Sequence, residues 1–120
     1  KKINVFVQLG MEKAPDLPNV PFLLDYAKSD TDRRALELLF APLAAAWPLI
    51  APPDVPKARV EALREAFVAT MKDPGFLAAA ASNAIEVEPL GGAAMARLNQ
   101  RMIETPAAAV ERARILSAAN

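Results

Sequence analysis

The sequence predicts an α/β fold of a few short strands and four to six helices, and three observations carry that reading. Residues 3–8, Ile-Asn-Val-Phe-Val-Gln, are dominated by β-branched and aromatic side chains with no helix start among them. Val60, Leu63, Phe67 and Met71 form an apolar stripe at helical spacing, with Arg59, Glu61, Arg64 and Glu65 lying largely away from it. Residues 85–88, Ile-Glu-Val-Glu, alternate as a strand with one solvated face does.

In the first strand Ile3, Val5 and Val7 share a face, and Phe6 makes the other face partly apolar, so the strand needs sheet neighbours. Pro15, Pro18 and Pro21 follow at intervals of three; each lacks a backbone N–H and steers its predecessor away from the α region, which predicts a rigid extended loop. A short helix over residues 22–27 comes next. Ser29, Asp30 or Asp32 then caps a helix running to about residue 40, with Leu36, Leu39 and Phe40 apolar and Arg33, Arg34 and Glu37 exposed.

Between residues 41 and 56 the composition shifts to alanine, proline and large apolar residues, with no charge before Asp54. Residues 48–51 read as a short buried strand ending in the turn Pro52-Pro53-Asp54-Val55. Pro56 suits the first turn of a helix to about residue 72, where its missing donor costs nothing. Asp73-Pro74 signals a further helix start, with the helix ending near residue 83. Gly91-Gly92 precedes a helix carrying Met95, Leu98, Met102 and Ile103, and Thr105-Pro106 opens a last helix through Val110, Ile115 and Leu116. Three short strands separated by helices make a narrow sheet with open edges. The expectation is therefore a chain that is part of something larger, its sheet completed by other residues of one protein or by a second copy.

Composition restricts function. The chain has 120 residues, 53% of them hydrophobic, which is enough for a core, and its 14 basic and 14 acidic residues give a formal net charge of +0. Nucleic acid is not an expected partner, because no excess of cations is available to neutralise a phosphate backbone. No run approaches the roughly 18 apolar residues of a membrane-spanning helix. Lys1-Lys2 before an apolar stretch looks like the start of a signal peptide, but the stretch stops too soon for one. The chain contains no cysteine and no histidine. That removes thiolate chemistry and the side chain most used as a general base near neutral pH.

Candidate chemistry is correspondingly sparse, and no catalytic residue, metal site or cofactor is expected. Ser29 and Thr105 have no histidine to activate them and read as helix caps. Asp30 and Asp32 read as helix-start residues, and Glu86 and Glu88 as the solvent face of a strand, in preference to acid/base pairs. Gly91-Gly92 reads as a plain loop rather than an anion cradle. Met71, Met95 and Met102 lie on helical stripes and read as core. Gln8 and Gly10 are the ligand-cleft candidates, because ligands of open α/β sheets sit beyond the carboxyl ends of the strands. Trp47, among alanines and next to Pro48, is the interface candidate; ligand stacking is the other role open to it.

The run Lys13-Ala14-Pro15-Asp16-Leu17-Pro18-Asn19-Val20-Pro21 resembles the P-x-L-P-D-V-P-T stretch of the tripartite tricarboxylate receptors, the Bug-type periplasmic solute-binding proteins. Asn19 and Phe22 stand where that family has aspartate and threonine. Leu49-Ile50-Ala51-Pro52-Pro53-Asp54-Val55-Pro56 is similar to the family's L-F-A-P-x-G-x-P turn, and Val60 to Phe67 to the V-x-x-L-x-x-A-F pattern after it. Asp73-Pro74-Gly75-Phe76 looks like its D-P-x-F/V helix start, and Glu86 to Leu90 like its E-V-x-P-x strand. The order of the motifs agrees, and the resemblance covers nearly the whole chain, corresponding to roughly the last 40% of a family member. Ala44-Ala45-Ala46-Trp47 departs from it, since relatives tend to carry polar residues or glycine there.

The resemblance implies the C-terminal part of a type II periplasmic-binding fold. Residues 1–45 would end the second lobe and cross the hinge, and residues 46–120 would return to the first lobe. It implies a non-enzymatic receptor component in the periplasm, whose partners are a small organic carboxylate and the membrane permease of a tripartite transporter. The other reading of the residues is a stand-alone oligomeric interaction domain without ligand binding, in which Trp47 and its apolar neighbours form the subunit contact.

Overall fold

A computed structural model of the chain describes residues 3–118. Its regular structure is helical: a 3-10 turn (Leu23–Tyr26), then α1 (Asp30–Ala44), α2 (Lys57–Thr70), α3 (Pro74–Ser82), α4 (Gly92–Ile103) and α5 (Ala107–Ala118). The α/β expectation, and with it the periplasmic-binding architecture, is corrected. Among the described residues there is no sheet, only one isolated parallel bridge between Gln8 and Phe22. Residues 48–51 and 85–88, expected as strands, lie outside helices and strands, as do residues 3–7. The physical reason is pairing. A strand has no hydrogen bonds of its own, so β-prone side chains without a neighbouring strand leave only open chain.

The helices start where side chains satisfy their free N–H groups. The Ser29 hydroxyl accepts from the Asp32 N–H at 3.0 Å and donates to the Asp32 carboxylate at 2.9 Å, closing the first turn of α1. The Asp73 carboxylate accepts from the Phe76 N–H at 2.8 Å, with Pro74 at the first helical position of α3. Thr105 behaves differently from expectation. Its hydroxyl donates back to the Arg101 carbonyl at 3.1 Å and so closes α4, while the first carbonyl to accept within α5 is that of Pro106. The end of α3 is a Schellman closure: the Ile85 N–H reaches the Ala80 carbonyl at 2.9 Å and the Ala84 N–H the Ala81 carbonyl at 3.1 Å. Ala84 stands at the left-handed position, φ 53°, where glycine is usual and where a side chain costs about 1–2 kcal/mol.

The chain divides into two units, one of Lys1–Ala46 with Arg97–Asn120 and one of Trp47–Ala96. In the first, α1 packs along α5. Small side chains permit this approach: Ala35, Ala109 and Ala113 are buried in it. Arg112 of α5 donates to the Asp32 carboxylate at 2.7 Å, tying the start of α1 to α5 across 80 positions of sequence. Phe22 and Leu24, also buried, sit where the proline-rich loop meets the 3-10 turn.

The second unit holds α2, α3 and the first turn of α4, and it buries far less. Ala80 is its one buried residue among those described, and α2 has none. The apolar stripe of α2, of which Met71 was expected to be core, is only partly covered: Val60, Phe67 and Met71 are half-buried and Leu63 is exposed. Met95 and Met102 of α4 are likewise only half-buried.

Candidate functional site

Gln8 is the most heavily bonded side chain of the first unit, and it is buried. Its amide nitrogen donates to the Leu17 carbonyl at 3.1 Å and the Val20 carbonyl at 2.7 Å, and its amide oxygen accepts from the Ala14 N–H at 2.7 Å. Its backbone N–H donates to the Pro21 carbonyl at 2.8 Å and its carbonyl accepts from Leu23 at 3.1 Å. The prolines explain the need. A loop interrupted by Pro15, Pro18 and Pro21 has carbonyls but few donors, so one amide side chain supplies what the backbone lacks. The residue chosen as a cleft candidate thus binds its own loop, with one remaining acceptor lone pair as its spare capacity.

Gly10, the second cleft candidate, is half-buried at φ 158°, and a side chain there would first meet the Glu12 carbonyl at an ordinary 3.6 Å. Neither Gln8 nor Gly10 lines the concavity around Ala41 and Leu98 or the depression along the 3-10 turn. Above the same loop Lys13 bridges to Asp25 at 2.6 Å and lies 5.9 Å from the centre of the Phe22 ring.

Two concavities of the first unit bear on ligand binding. One, around Ala41 of α1 and Leu98 of α4, has a volume of about 20 Å³ and is rimmed by Arg34, Arg101 and Glu37. That is room for one water, not for an organic acid. The other is an open depression of about 470 Å³ along the 3-10 turn and the start of α1, where Lys28 and Arg33 are offset by Asp25 and Asp30. Neither brings unpaired cations together on a carboxylate-sized space.

The carboxylates expected as helix-start residues separate in role. Asp32 faces Arg112 and Ser29; the hydrogen bond from Arg112, followed by that from Ser29, holds its carboxyl below the ordinary aspartate value of 3.8. Asp30 lies 3.8 Å from Arg34, four residues on. Glu86 and Glu88 are exposed on open chain. Gly92 opens α4 beside Arg64 of α2: a Cβ there would lie 2.9 Å from the Arg64 Nε. Arg64 itself is paired with Glu61 at 2.6 Å.

What the surface does present is apolar. Trp47 is 95% exposed, and Leu49 and Ile50 are 83% and 89% exposed, in a stretch without charge. Ile3 and Phe6 in the first unit are 88% and 82% exposed. Scattered apolar surface is ordinary, whereas here large apolar residues close together in sequence are left almost wholly in water. The accessible area of the chain is 9690 Å². A folded protein of this mass exposes about 6300 Å², and two separate bodies of the units' sizes about 7500 Å² together. Against the stricter of these, the two-body figure, about 2000 Å² per chain is exposed in excess.

The sequence signal for this surface was visible at Trp47, an aromatic in an uncharged Ala/Pro stretch. The signal for the Gln8 staple was the proline spacing, which announced a loop short of donors. The Asp32–Arg112 pair had no local signal. Among the described residues no group of three or more carboxylates gathers as metal ligands, and no helix is long and apolar enough to cross a membrane. Set against known proteins, the chain matches no family model, no curated protein and no solved structure.

Proposed function

We propose that the chain is a non-catalytic association module that works by burying its exposed apolar segments against other copies of itself. The observation that carries this reading is the run Trp47-Pro48-Leu49-Ile50, in which each of the three large apolar side chains is more than four-fifths exposed. Aromatic anchors flanked by aliphatic residues supply most of the binding energy at protein interfaces. Desolvating such a run contributes roughly 25 cal/mol per Å² of apolar surface, and in the free chain that contribution is forfeited.

A second reading rests on the ordered motifs from Pro15 to Leu90: a part of a receptor for a small organic carboxylate. The two concavities of the first unit give it no support.

One experiment addresses both. Light scattering on the wild-type chain and on Trp47→Ser should show an oligomer that the substitution weakens by roughly tenfold or more, the loss expected of a buried aromatic anchor. A strict monomer across the micromolar to millimolar range excludes the association reading. A parallel thermal-shift arm with mono-, di- and tricarboxylates discriminates the second: a rise in melting temperature at millimolar acid favours the receptor reading.

A further inference from the structure

We propose that residues 3–7 pair as an antiparallel strand with the same residues of a second copy, about a two-fold axis at Val5. This rests on the association reading above and names the contact that the first unit contributes.

Residues 3–7 enter no backbone hydrogen bond among the described residues, although four of the five, Ile3, Val5, Phe6 and Val7, are β-prone. The next residue determines which edge is free. Gln8 spends its N–H on Pro21 and its carbonyl on Leu23, both on the side of the bridge to Phe22. In a strand the backbone groups of successive residues alternate sides, so when residues 3–7 continue that strand, Ile3, Val5 and Val7 present their N–H and C=O groups to the opposite edge. An antiparallel copy centred on Val5 meets them in register: Val5 exchanges both hydrogen bonds with its mate, and Ile3 does so with Val7 at each end. The hydrogen-bonded pairs of this seam, Val5 with Val5 and Ile3 with Val7, are β-branched, which suits cross-strand packing, while Asn4 faces Phe6 between them.

The occupant is a second copy because the segment is complementary to itself. It carries no charge, so a two-fold pair sets no like charges opposite each other. Within residues 3–7 there is no lysine, proline or inward charge of the kind by which monomeric proteins blunt an open edge, the nearest charges in sequence being Lys1 and Lys2 just before them. The area agrees. About 2000 Å² uncovered per chain, doubled in a pair, lies within the range of about 2000–5000 Å² typical of obligate homodimers. A two-stranded ribbon alone is marginal, so the seam acts together with the exposed apolar residues beside it, such as Phe6 and Leu9.

The chain has no cysteine of its own, so single substitutions read the register directly. In the proposed pair the Val5 Cα atoms lie about 5.5 Å apart, within disulfide reach, whereas those of Phe6, offset by two positions along each strand, lie about 8 Å apart and beyond it. Val5→Cys should link nearly completely on mild oxidation and Phe6→Cys at least tenfold more slowly. Val5→Pro, which removes the central donor, should raise the dimer dissociation constant at least tenfold in sedimentation equilibrium, with helicity by circular dichroism unchanged. A wild-type oligomer whose Phe6→Cys variant links as fast as Val5→Cys, or that Val5→Pro leaves intact, overturns the seam and spares the association reading. A wild-type monomer at every concentration overturns both.

Discussion

Replacing Gln8 by glutamate keeps the oxygen that receives the Ala14 N–H, removes both amide donors, and sets a carboxylate against the Leu17 and Val20 carbonyls. A buried acceptor that loses its partner costs about 1–3 kcal/mol, and repulsion between the carboxylate and the two carbonyls adds to it. Gln8→Glu should therefore destabilise the first unit by about 2 kcal/mol or more at neutral pH, and more than Gln8→Met, which fills the space without facing the carbonyls with charge. Chemical denaturation of the three proteins checks the ranking. Equal stability of Gln8→Glu and wild type would return Gln8 to the cleft-residue role, since a ligand-binding side chain is dispensable to its own loop.

At the scale of elements, α1 is held to α5 by buried alanines and by the Asp32–Arg112 pair, and the pair makes that contact sensitive to acid. The carboxyl of Asp32 is lowered in the folded chain, chiefly by the hydrogen bond from Arg112, so its contribution is complete above the unfolded value near 3.8 and is lost as pH falls through the lower, folded value. Arg112→Ala should accordingly be less stable than wild type at neutral pH, with the gap closing below about pH 4. Melting both proteins from neutral pH to about pH 2 tests this; a gap that persists unchanged at the acid end assigns the loss to packing by the arginine stem instead. Helices such as α1 and α3 were legible in the sequence because their signals are local: Ser29 before Asp32, and Asp73 before Pro74, act within a single turn. Strands over residues 3–8, 48–51 and 85–88 were not, because β-prone side chains state a preference while a ladder needs a second strand that no local pattern supplies. The α2 stripe shows the same limit for burial: Val60, Leu63, Phe67 and Met71 were correctly grouped on one helical face, but a face becomes core only when something covers it. Of the candidate site, the apolar setting of Trp47 was readable from its neighbours alone. The bonds of Gln8 were not readable, because its partners Ala14, Leu17 and Val20 come together only when the loop closes.

For the molecule as a whole, the uncovered surface sets the terms of stability. Folding must offset a conformational entropy of about 1–2 kcal/mol per ordered residue, largely through apolar area removed from water. On the association reading, a chain that keeps 9690 Å² accessible, with Trp47, Ile50 and Ile3 each more than 85% exposed, leaves part of that offset to contact with further copies. Association that binds the folded form alone adds to apparent stability by mass action, so stability becomes a function of concentration. For a dimerising chain each tenfold rise in concentration adds about 1.4 kcal/mol per pair, which moves the melting temperature by a few degrees at this size. Calorimetric scans from about 5 μM to 500 μM should thus show the transition climbing steadily, and the climb should flatten in Trp47→Ser and in Val5→Pro as their dissociation constants move above the range. If all three proteins melt at one temperature throughout, folding and association are uncoupled, and the exposed segments stabilise nothing in the isolated chain.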